Sequence, residues 1–77
     1  MTDAIALTPR MKGTLSRAGE LARERGHDYL GTEHVLLALL EDVQGIAGGV
    51  IQRRGYSAAI RDDVIRIIDS DGYAGTT

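Results

Sequence analysis

The chain has 77 residues, 43% of them hydrophobic, and nine basic against eleven acidic residues leave a formal charge of −2. A chain of this length makes one small domain with a limited core, because such domains bury only about 60% of their unfolded surface. Without cysteine it has no disulfide framework or thiolate chemistry. It also has no basic block to release counterions from nucleic acid, and no apolar run near the roughly 18 residues of a membrane span. The amino terminus, MTDAIALTPRMK, lacks the basic flank and apolar stretch of an export signal. These features predict a soluble, cytoplasmic protein that binds neither nucleic acid nor membrane.

With no Phe or Trp, the core must come from Leu, Ile, Val, Ala and Met. Between Thr8 and Arg25, Met11, Leu15, Ala18, Leu21 and Ala22 recur at spacings of three and four, which predicts an amphipathic helix. Thr8 is its expected N-cap, Pro9 suits the first helical position, and Gly26 is a stop.

His27 to Gly31 reads as a loop, and Thr32 as the cap of a second helix running to about Glu41 or Asp42. GTEHVLLALL is apolar on nearly every side, the pattern of a central buried helix. Gly45 to Arg54 predicts a short third helix with Ile46, Ala47, Val50 and Ile51 on one face and Gly55 at its end. Gly48 and Gly49 weaken it by about 1 kcal/mol each relative to Ala. Ser57 is the expected cap of a fourth helix striped by Ile60, Val64, Ile67 and Ile68, with Asp62 and Arg66 as an exposed pair. The aperiodic SDGYAGTT that follows predicts a frayed tail, so residues 1–7, 8–69 and 70–77 divide into a leading segment, one helical domain and a flexible tail.

Few residues here can support chemistry. His27 and His34 lie seven apart rather than the four of a helical zinc motif, so no metal site is expected. Glu33 and His34 point about 100° apart on a helix and lack an accompanying nucleophile, so no catalytic residue is assigned. No GxxxxGK[ST] is present, and no cofactor is implied.

Thr32-Glu33 is first of all a helix start with a carboxylate at the positive end of the dipole. It has a second potential use. Free amides at a helix start attract phosphate, whereas Glu33 beside them repels a simple dianion and attracts a guanidinium. A ligand carrying both groups would suit the pair, and Thr8 would add a hydroxyl if the two helix starts met.

The order Thr8-Pro9-Arg10, Ala18 to Ala22, Gly26-His27, Leu30 to Leu40, Gly45-Ile46-Ala47 and Gly55 resembles one Clp repeat. That unit occurs in pairs in the amino-terminal domain of ClpA- and ClpC-type unfoldases. The resemblance implies an all-α, four-helix unit, half of the double domain, and a symmetric homodimer is the simplest way to restore the other half. It implies a non-enzymatic module that binds tagged protein substrates or adaptor proteins, or docks on a Clp unfoldase. It further implies phosphoarginine recognition, with Glu33 taking the guanidinium, Thr32, Gly31 and Thr8 the phosphate, and His34 a supporting place. Leu7 stands where many members carry an aromatic residue, which argues against carrying over the family's cyclic-peptide antibiotic site.

Overall fold

The computed structural model describes residues 5–74 and is all-α: α1 is Pro9–Glu24, α2 Thr32–Glu41, α3 Ile46–Arg53 and α4 Ser57–Ile68. Thr8 caps α1 as its sequence predicts, its hydroxyl accepting the Met11 amide at 3.1 Å, and Pro9 occupies the first helical position. Gly26 and Gly55 take φ of 75° and 77°, the left-handed conformation that ends a helix at no cost to glycine.

The second helix is the hub. It packs against each of the other three and buries His34, Leu37, Ala38 and Leu40. On α1 the buried line is Thr14, Ala18 and Ala22, so small side chains let the two helices approach closely, while Met11, Leu15 and Leu21 are half-buried. Thr14 turns its hydroxyl back to the Arg10 carbonyl at 3.0 Å, which keeps a buried donor satisfied.

Ion pairs run along the edge of the α1–α2 contact, whose antiparallel direction follows from the short loop between the helices. Arg10 holds both oxygens of Asp42 at 2.5 and 2.6 Å, and Arg17 holds both of Glu41 at 2.7 and 3.0 Å. The start of α1 therefore lies at the end of α2. Bonding to Arg17 holds the Glu41 carboxyl below its ordinary range. These pairs are exposed, and their role is register more than stability.

The third helix presents the opposite face from the one its pattern suggests. Its buried residues are Gly48 and Gly49, while Ile46 is 87% exposed and Val50 43%. A Cβ on Gly48 would collide with the Leu39 and Asp42 carbonyl oxygens at the end of α2. The glycines are thus the contact itself; Ile46, Ala47 and Val50 of the aliphatic stripe are left to solvent, and Ile51 is half-buried.

Two further expectations are corrected. Ser57 does not cap α4: Tyr56 holds that place, and Ser57 is the first helical residue, its hydroxyl buried with no partner among the described residues. Arg66 pairs with Asp63 at 2.9 Å and not with Asp62, which lies 3.9 Å from Arg61. Beyond α4, Ser70 donates its hydroxyl to the Ile67 carbonyl at 2.6 Å, and a turn closed by Tyr73 N–H to the Ser70 carbonyl at 3.2 Å brings the chain back over α2. The last residues of the expected tail, 75–77, lie outside the described residues, as do residues 1–4 of the leading segment.

Candidate ligand-binding site at the start of α2

The start of α2 is organised by a histidine rather than by the expected threonine. Gly31, extended at φ −106° and ψ 170°, is the N-cap, and Thr32 is the first helical residue, exposed and outside the capping position. Glycine has no cap side chain, so the local bond runs the other way, from the Gly31 amide to Nδ1 of His34 at 2.9 Å. That bond fixes the tautomer. A nitrogen accepting from an amide carries no proton, so Nε2 of His34 carries it and donates to Nδ1 of His27 at 2.9 Å.

His34 is fully buried, and its basicity is lowered chiefly by that burial, with the Glu33 charge opposing the effect. The resemblance gives this residue a supporting place, and the structure bonds its ring to the Gly31 amide. The bond to His27 was not legible, because His27 lies in the loop.

Around this pair stands the chain's aromatic cluster. Tyr29 stacks on His27 with ring centres 5.0 Å apart, and Tyr73 lies 5.5 Å from His27. The Tyr73 hydroxyl donates to Oε2 of Glu33. Burial and the hydrogen bond to Glu33 both raise the Tyr73 pKa, so the phenol remains the donor. A scarcity of aromatics was the one signal available: the sequence has three tyrosines and no Phe or Trp, and two of the tyrosines meet here.

Glu33 is half-buried at the mouth of a depression whose other walls are Val64, Ile67, Ile68 and Tyr73. Its carboxylate lies against Gly31, where an added Cβ would come within 2.5 Å of Oε1. Glu33, Thr32 and Gly31 therefore share one end of α2, with first-turn amides that a helix leaves unpaired from within. Thr8 does not join them. It lines a groove with Leu39, Asp42, Gly45 and Ile46, at the opposite end of the ten-residue α2, about 14 Å along its axis.

The chemistry on offer is recognition of a cation beside helix-start amides. Among the described residues, no group of three or more His, Cys, Asp or Glu could hold a metal ion. No single helix among them is long and apolar enough to cross a membrane.

A family model described as Clp repeat (R) N-terminal domain matches residues 6–71. An ATP-dependent Clp protease ATP-binding subunit ClpA homolog, CD4B, chloroplastic, from Solanum lycopersicum is 41% identical over 71 residues, covering 91% of this chain and 8% of its own length. Chaperone protein ClpC2, chloroplastic, from Oryza sativa subsp. japonica is 45% identical over 65 residues, 83% of this chain and 7% of the relative. The negative regulator of genetic competence ClpC/MecB of Bacillus subtilis is 36% identical over 72 residues, 92% of this chain and 9% of the relative. The chain thus spans less than a tenth of these relatives' length. No solved structure matches significantly.

Proposed function

Because the chain belongs to the Clp repeat (R) N-terminal domain family, we propose that it is a non-enzymatic binding module of Clp proteolysis. It recruits tagged substrates or adaptor proteins, and its ligand is a phosphorylated arginine. The observation that carries this reading is the position of Glu33: a half-buried carboxylate in the first turn of α2, between apolar walls and beside Thr32 and Gly31. The carboxylate takes the guanidinium in a charge-assisted pair, and the helix-start amides with the Thr32 hydroxyl take the phosphate.

Thr8 enters such a pocket only from a second copy, since its own chain holds it at the far end of α2. A homodimer supplies one. Ile46 lines the Thr8 groove and, with Val50, gives α3 an exposed aliphatic face for it. Sedimentation at high micromolar concentration should show twice the chain mass, and a folded species at 8.3 kDa would remove the dimer alone.

Calorimetric titration with free phosphoarginine, beside phosphoserine and arginine, tests the ligand. Selective binding that is lost in Glu33→Ala, with helix content retained, is expected. Equal affinity in a folded Glu33→Ala protein would sink the site. The exposed Ile46 face favours a second reading, in which the chain docks on a Clp unfoldase and Glu33 serves only the helix start. That reading gives unfoldase binding with no phosphoarginine affinity, and loss of binding in Ile46→Asp.

A further inference from the structure

We infer that Tyr73 is a built-in competitor for the Glu33 pocket, so that the turn after α4 keeps the site closed until a guanidinium-bearing ligand displaces it. The inference rests on the reading of Glu33 as the guanidinium-binding carboxylate.

Three observations converge on it. The first is the contact itself: the Tyr73 hydroxyl donates to Oε2 of Glu33, one of the oxygens a guanidinium would use. The second is position. Tyr73 lines the same depression as Glu33, Val64, Ile67 and Ile68, so its ring occupies one wall of the space an arginine side chain would enter.

The third is how the turn is held. Arg25 clamps Asp69 at 2.5 Å, Ser70 bonds back to the Ile67 carbonyl, and the Tyr73 ring lies against His27 and Tyr29. Asp69 and Ser70 are thereby tied to the helices, whereas Tyr73 is held by its N–H bond to the Ser70 carbonyl and by ring contacts outside α4, so releasing its hydroxyl from Glu33 leaves the bonds of α4 intact.

The energetics suit a latch. A neutral phenol gives the carboxylate one hydrogen bond and no charge. A guanidinium gives a paired, charge-assisted fork, so a ligand bearing one wins the carboxylate but at reduced net affinity. A ligand without a guanidinium gains nothing that offsets the lost phenol bond, so the latch also sharpens selection for the guanidinium group.

The test compares wild type, Tyr73→Phe and Glu33→Ala by calorimetry with phosphoarginine, and by NMR of the tyrosine rings. Tyr73→Phe keeps the ring packing and removes only the donor. It should bind phosphoarginine about tenfold more tightly than wild type. Without ligand, the Tyr73 ring signals should move in Glu33→Ala, and phosphoarginine should move the wild-type signals the same way.

Equal affinities for wild type and Tyr73→Phe would overturn the competition and leave the Glu33 reading intact. Weaker binding by Tyr73→Phe would overturn it too, making the hydroxyl a ligand contact. Binding by neither protein would overturn the Glu33 reading, and the inference with it.

Discussion

His34 Nε2 lies 2.9 Å from His27 Nδ1, and this bond joins the loop after α1 to the buried start of α2. With the Gly31 amide donating to the other ring nitrogen, His34 is bonded on both sides as a neutral ring. A second proton would set two donors against each other.

Stability should therefore depend on pH in a defined window. Burial lowers the His34 pKa in the fold from its ordinary 6.5, so below 6.5 the unfolded chain binds a proton that the folded chain resists. The contribution is fully present above pH 6.5 and is lost as pH falls toward the folded value. Besides His27, the groups bearing on His34 are Glu33, which opposes the shift, Arg25, which adds to it, and the Tyr29 ring. Glu41, held below its ordinary 4.5 by Arg17, adds a separate loss only beneath 4.5. Urea midpoints should be level from pH 8 to 7 and decline between 6.5 and 5. A level curve down to pH 5 would contradict a buried neutral His34.

Two glycine substitutions should move stability in opposite directions. Gly13 in α1 has open space where a Cβ would sit, so Gly13→Ala should stabilise by about 0.5–1 kcal/mol through helix propensity. Gly48→Ala carries the same propensity gain yet drives its methyl into the Leu39 and Asp42 carbonyls, and should lose about 1–3 kcal/mol. Thermal or urea unfolding of both variants decides it. A stabilised Gly48→Ala would mean that α3 does not sit on α2 as described.

The two expected caps should also separate. Thr8→Ala removes the acceptor of the Met11 amide and should cost about 1 kcal/mol. Ser57→Ala removes a buried hydroxyl that has no partner among the described residues and adds helix propensity, so it should gain about 0.5–1 kcal/mol. Equal losses from both would restore Ser57 as a cap.

The local signals in the sequence were enough for the four helices and their limits. Spacing at three and four, Thr8-Pro9 at one start, and Gly26 and Gly55 at two ends act within a turn or two of chain, and the structure keeps them. The apolar run of α2 likewise determined its central burial, since no orientation could expose a polar face.

Tertiary structure alone decided what lies between the elements. Periodicity showed that Ile46, Ala47, Val50 and Ile51 share a side of α3, but not that all of it except the half-buried Ile51 faces solvent. That depended on backbone approach at Gly48, which helix propensity registers only as weakness. The cap of α2 passed from Thr32 to Gly31, whose amide bonds to His34 because that side chain faces inward, a direction the buried neighbours impose. Thr8 and Glu33 fell at opposite ends of α2 once α1 packed antiparallel against it. Tyr73 reached Glu33 across 40 positions of sequence, through a turn whose composition reads as a tail. Contacts of that range arise from packing, which no local pattern encodes.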